Sequence, residues 1–244
     1  VSTQTPPALV GIAHGTSSPD GQAAVAGLMR AVAAARPGLT VAAGFVDVQQ
    51  PDPTAALAAL PAGLPAVIVP VLLSAGYHVH VDLAQAVLAQ TGRSVVLAGA
   101  LGPDERIVVV LRQRLAEAGL RDDDQVVLAV AGSSDARAIA ACRVVAESLA
   151  DAAGREVTIG FLSAATPHLA CAVTTARINS PGRRVVVSSY LLAPGYFQAL
   201  VDNVGADVVT RPLLVPDEPP PRQLVEVVVG RYSAAARHPR PEAP

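Results

Sequence analysis

Two similar α/β halves, each built on a parallel sheet flanked by helices, are what this sequence predicts. Three observations predict them. Short, continuously apolar, valine-rich runs alternate with Ala/Leu/Arg/Glu stretches long enough to be crossover helices, the pattern of parallel strands covered on both faces. The chain has 244 residues, 51% of them hydrophobic, enough for a sizeable core in one large domain or two small ones. Landmarks of the first part also recur in the second, in the same order.

The strand-like runs are ALVGIA from Ala8, TVAAGFV from Thr40, AVIVPVLL from Ala66 and SVVLAGA from Ser94. They continue with QVVLAVA from Gln125, EVTIGFL from Glu156, RRVVVSSYLL from Arg183 and DVVTRPLL from Asp207. GQAAVAGLMRAVAAA, from Gly21, reads as a helix. PDERIVVVLRQRLAEAG, from Pro103, carries an ambiguous IVVV, but its Asp104-Glu105 start and Gly119 end favour helix. GIAHGTSS resembles AVAGSSDA, AAGFVD resembles TIGFLS, and LLSAGYHVH resembles LLAPGYFQA. Gly15 then aligns with Gly132, Phe45 with Phe161 and Gly76 with Gly195, at offsets of 117, 116 and 119 residues. We expect one half over residues 1–120 and a second over 121–244, joined near the acidic stretch AGLRDDDQ. The second half should end in a helix after Pro221 and a Pro-rich tail.

Composition excludes several function classes. The net charge of −2 gives no reason to expect a nucleic-acid partner. No apolar run approaches the roughly 18 residues of a membrane span, and the first ten residues have neither a basic start nor an apolar signal core. Every fixed positive side-chain charge is arginine. Cys142 and Cys171, far apart and without CxxC spacing, read as buried free thiols of a protein in a reducing cytoplasm.

In open parallel sheets, ligands bind beyond the carboxyl ends of the strands. His14 follows the first run, Asp47 the second, and His78 and His80 the third. Imidazoles and a carboxylate converging there suit a divalent transition metal. Each also has a plainer reading: His14 as a polar loop residue, Asp47 and Asp82 as helix caps, and HGTSSPDG as an anion-binding loop. The last is neither GxGxxG nor GxxxxGK[ST], and no lysine completes a nucleotide P-loop. His78 and His80 share a face if the segment is a strand and diverge if it is a helix. The second half has Ala131, Ser163, Phe197 and Ala199 where the first has His14, Asp47, His78 and His80. A single site in the first half is therefore expected, with the second half as its wall or lid.

These residues resemble a known family, the ATP-independent sirohydrochlorin chelatases, in their long two-half form. His14-Gly15 matches its histidine-glycine after the first strand. Phe45-Val46-Asp47 with Pro51 matches a Phe-x-Glu segment followed by proline, Asp47 standing where glutamate is common. Leu73-Ser74-Ala75-Gly76-Tyr77-His78-Val79 matches its Leu-x-x-Gly-x-His-Val segment. Val81 replaces one member of a frequent acidic pair, Asp82 remains, and His80 is extra. The resemblance implies two flavodoxin-like, chelatase-type domains related by internal duplication. It implies insertion of Co²⁺ or Fe²⁺, and possibly Ni²⁺, into a sirohydrochlorin-type tetrapyrrole in cobalamin or siroheme synthesis. It further implies His14 and His78 as metal-holding and catalytic residues, Asp47 as a metal-side carboxylate, and Gly15, Ser74, Ala75, Gly76 and Tyr77 along the macrocycle. Rim arginines would pair with substrate carboxylates. The metal would be a substrate, with no permanent cofactor, and the doubled chain a monomer. A metal or tetrapyrrole carrier, a metal-dependent hydrolase and an inactive pseudo-chelatase are the rival readings.

Overall fold

The computed structural model describes residues 5–74 and 76–237, with the side chains of residues 77–80 outside that description. Ala75 therefore lies outside the described residues. The first half runs β1 (Ala8–Ala13), α1 (Pro19–Ala35), β2 (Val41–Phe45), α2 (Pro53–Ala58), β3 (Ala66–Pro70), α3 (Tyr77–Leu88), β4 (Val95–Leu97) and α4 (Glu105–Glu117). The second runs β5 (Gln125–Val130), α5 (Ala136–Ala153), β6 (Val157–Phe161), α6 (Leu169–Asn179), β7 (Val185–Tyr190), α7 (Tyr196–Asp202), β8 (Val208–Val209) and α8 (Arg222–Ala236). Each half has one four-stranded sheet, with orders β2-β1-β3-β4 and β6-β5-β7-β8, and every pairing is parallel. The DVVTRPLL run yields only a two-residue strand; Pro212 has no N–H to extend an edge ladder.

The apolar runs divide by the two-residue period of a strand. Leu9 faces one core cluster while Ala8, Val10 and Ile12 face another. In β5, Val126, Leu128 and Val130 face the cluster shared by the halves, and Val127 and Ala129 a second buried cluster on the opposite face of the sheet. The inner cluster is shared, joining Leu9, Leu28 and Val32 of the first half to Val126, Val145 and Leu149 of the second.

The last helix of each half covers the other half. After β4, α4 packs against α5 and β7; after β8, α8 packs against α1 and β3. Two arginines in equivalent positions fasten this exchange. Arg114 of α4, 5% exposed, donates to the carbonyls of Pro212 (3.0 Å) and Leu213 (2.9 Å). Arg231 of α8 donates to those of Ala100 (2.8 Å), Leu101 (2.7 Å) and Pro103 (3.0 Å).

The acidic joint between halves is ordered. Asp124 is buried and accepts two hydrogen bonds from Arg184, at 2.9 and 2.7 Å, and one from the Arg121 N–H. Of the cysteines, Cys142 is buried in α5, but Cys171 is exposed on α6, against expectation. Its helix buries Leu169, Ala172, Val173 and Ala176, a face that does not include position 171. No described helix is long and apolar enough to cross a membrane.

Candidate active site

The loops that carry the sequence landmarks gather at the carboxyl ends of β1 and β2. The first strand ends in Ala13, and Gly15 turns the chain with φ +96°. A Cβ on Gly15 would overlap the carbonyl oxygen of Asp47, so glycine lets the two loops touch. The Asp47 N–H donates to His14 O (2.9 Å), the Val46 N–H to Ala13 O (3.0 Å), and the Thr16 N–H to Gln49 Oε1 (3.0 Å). Backbone contact thus sets His14 and Asp47 side by side. Both side chains are exposed. Asp47 is not the helix cap that one reading allowed: α2 is capped by Asp52, whose carboxylate accepts from the Ala55 N–H (2.8 Å). The Asp47 carboxylate accepts instead from the neighbouring Val48 N–H (2.8 Å).

The second half repeats this construction with Ala131 and Ser163 in place of His14 and Asp47. Gly132 has φ +94°, a Cβ there would overlap the Ser163 carbonyl, and the Ser163 N–H donates to Ala131 O (3.0 Å). Val48 and its counterpart Ala164 both adopt positive φ, +62° and +54°, and Pro51 and Pro167 both follow cis peptide bonds. The Ser163 hydroxyl is spent on Ala131 O (2.8 Å).

The β3–α3 connection brings the third landmark to the same edge. β1 and β3 pair side by side, and the Val71 N–H donates to Ile12 O (2.7 Å). Helix α3 opens at Tyr77 behind Gly76, so His78 is its second residue and lies in its first turn. Positions 78 and 80 are therefore about 200° apart around the helix axis. The side chains of Tyr77, His78 and His80 lie outside the described residues. Asp82 does not cap this helix; it falls in the second turn and is exposed.

Between the halves lies a cavity of about 570 Å³. Its first-half wall includes His14, Gly15, Thr16, Val48, Ser74 and Gly76; its second-half wall includes Ser133, Cys142, Tyr190 and Pro194. The volume is in the range of small-molecule sites. The two jaws meet at matching points: a Cβ on Gly76 would stand 3.2 Å from Ser133 Oγ, and one on Gly195 would stand 3.2 Å from Thr16 Oγ1. Asp47 is beside the opening rather than in the lining, where Val48 and Gln49 stand. Among the described lining residues there is no arginine; Thr16, Ser17, Ser74 and Ser133 supply neutral hydroxyls there.

Sequence reasoning missed Tyr190. Its hydroxyl crosses from the second half and donates to Leu73 O (3.2 Å), on the loop leading to α3. Gly102 leaves room for it, since a Cβ there would overlap both the hydroxyl and the Leu73 carbonyl. Burial pushes the Tyr190 phenol far above its ordinary pKa, so it stays a donor at neutral pH. Burial likewise raises the Cys142 thiol, opposed in part by a hydrogen bond with Ser74. The signal available in the sequence was a tyrosine ending an otherwise apolar strand, which alone does not say what its hydroxyl reaches.

Two parallel α/β halves with a cleft between them are the architecture of chelatase-type proteins. A family model, CbiX, matches residues 8–118 and 125–203. The chain belongs to that family, the sirohydrochlorin chelatases. No curated protein sequence matches the chain. Among solved structures, SirB from Bacillus subtilis with Fe³⁺ superposes with a TM-score of 0.79 at 18% identity, covering 96% of each chain. The sirohydrochlorin chelatase SirB from Bacillus subtilis subspecies spizizenii, in complex with cobalt, gives 0.75 at 16% identity over 96% of this chain and 97% of that one. CbiX, the terminal enzyme for biosynthesis of siroheme in denitrifying bacteria, gives 0.63 at 21% identity over 93% and 99%. At these identities the likeness is one of fold.

Proposed function

We propose that this protein inserts a divalent metal, cobalt or iron, into a sirohydrochlorin-type tetrapyrrole without ATP, in siroheme or cobalamin synthesis. The observation that carries this reading is the cleft: the loop bearing His14, the loop bearing Asp47 and the first turn of α3 bearing His78 meet at one sheet edge. Membership of the CbiX family supports it.

Insertion requires a partly stripped metal ion, a ring bent so that pyrrole lone pairs face the ion, and a base for two pyrrole protons. His14 and His78 would hold the metal or take those protons, since imidazole titrates near neutrality. Asp47, exposed at the opening, would meet the hydrated ion through its bound waters and pass it inward. Gly15, Ser74, Ala75, Gly76 and Tyr77 would follow the macrocycle edge. The largely apolar walls would exclude water and strengthen each charge interaction inside. Lacking arginine in the described lining, the cleft would leave substrate carboxylates toward solvent or on neutral hydroxyl and N–H donors. The metal leaves with the product, so it is substrate, and no nucleotide takes part.

The test is sirohydrochlorin absorbance with catalytic amounts of protein and Co²⁺, Fe²⁺ or Ni²⁺ in turn. Repeated turnover above the spontaneous rate with at least one metal is expected. Binding that stops at one equivalent would make the protein a carrier.

A further inference from the structure

We propose that Tyr196 and Phe197 form an aromatic shelf that receives the flat face of a conjugated macrocycle, opposite the first-half histidine loops. This rests on the function proposed above and adds the element that recognises the ring. The pair opens α7, lines the cavity, and is solvent-exposed: Tyr196 by 75%, Phe197 by 36%. Their ring centroids are 5.7 Å apart, tilted by 55°. The Gly195–Thr16 approach holds this turn against the loop that carries His14.

Three facts single out this pair. The chain has only seven aromatic residues and builds its core chiefly from alanine, valine and leucine, yet Phe45, Tyr190, Tyr196 and Phe197 all line one cleft. Exposed rings gain from a partner that covers them, and Val48 on the opposite jaw is also 61% exposed. Phe197 occupies, in the second half, the place that His78 holds in the first. The first-half jaw thus carries His14, and the second-half jaw carries most of the aromatic rings. Because the rings are tilted by 55°, a conjugated ligand stacked on one meets the other edge-on, and both contacts favour an aromatic ligand over an aliphatic one. The turn is braced from beneath: Gln198, buried, donates from Nε2 to Asp202 Oδ1 (2.7 Å).

The experiment is titration of the full-length protein with metal-free sirohydrochlorin, followed by the ligand's absorbance. The double variant Tyr196→Ala/Phe197→Ala should raise Kd about tenfold or more. Phe197→Leu, which keeps apolar bulk without a π face, should weaken binding as well, whereas Phe197→Tyr should bind within about twofold of wild type. Exposure of both rings leaves folding intact, checked by an unchanged urea midpoint. Full affinity in the alanine double variant, or in Phe197→Leu, would overturn the shelf while leaving the chelatase reading standing. Failure of the wild type to bind the macrocycle would overturn both.

Discussion

At Gly15 the backbone has φ +96°, a region that residues with a Cβ seldom adopt, and the adjacent Asp47 carbonyl fills the space a side chain would need. Gly132 repeats both features beneath Ser163. The glycine is a condition for the His14 and Asp47 loops to lie together. Gly15→Ala should therefore cost about 2 kcal/mol or more of stability and displace His14. Urea unfolding and Co²⁺ titration would check this; wild-type behaviour in both would mean that the loops separate easily. The residue scale was partly legible in advance. His14, Asp47 and His78 stood out because each follows an apolar run, and Gly15 because it has a repeat partner. Tyr190 and the Tyr196–Phe197 pair did not stand out, because what they touch depends on packing the second half against the first.

Among the elements, the exchanged helices decide how the halves hold together. Continuous valine runs made the strands readable, and the Asp104 start made α4 readable: Asp104 caps it by accepting from the Arg106 N–H (3.1 Å). The exchange was not readable. An amphipathic helix pattern shows that a face is buried but not which sheet buries it. The arginines that fasten it look, in sequence, like ordinary solvated charges. Arg114→Ala should remove the donors of two carbonyls from a buried site and cost about 3 kcal/mol. Arg231→Ala, at the more open counterpart, should cost about 2 kcal/mol. Denaturant midpoints measure both, and losses under about 0.5 kcal/mol would show the hooks to be incidental.

For the molecule as a whole, several acidic groups link stability to pH. The Arg184 guanidinium holds the buried Asp124 carboxyl below its ordinary range, and Arg106 does the same for Asp104. A carboxylate with a depressed folded pKa binds fewer protons in the native state, so it stabilises above its unfolded value of about 3.9. That contribution is lost as pH falls through the lower folded values. The urea midpoint should accordingly stay level from neutrality to about pH 5 and drop below about pH 4. Asp124→Asn should lower the neutral midpoint and flatten the acid limb; an unaltered limb would remove Asp124 from this role. At this scale the repeat was the most legible feature, because a positive-φ turn of the kind at Gly15 and Gly132 needs glycine wherever it recurs. The shared inner core was not, since pairing of two sheets through a common helical layer leaves no local mark.

The central claim is that imidazoles from two separate loops of the first half serve one metal entering one ring. Its most direct test is the initial rate of Co²⁺ insertion into sirohydrochlorin by His14→Ala and by His78→Ala, with folding verified by unfolding midpoints. Each substitution should lower kcat/KM by about 100-fold or more. Either variant metallating the macrocycle at the wild-type rate would contradict the claim.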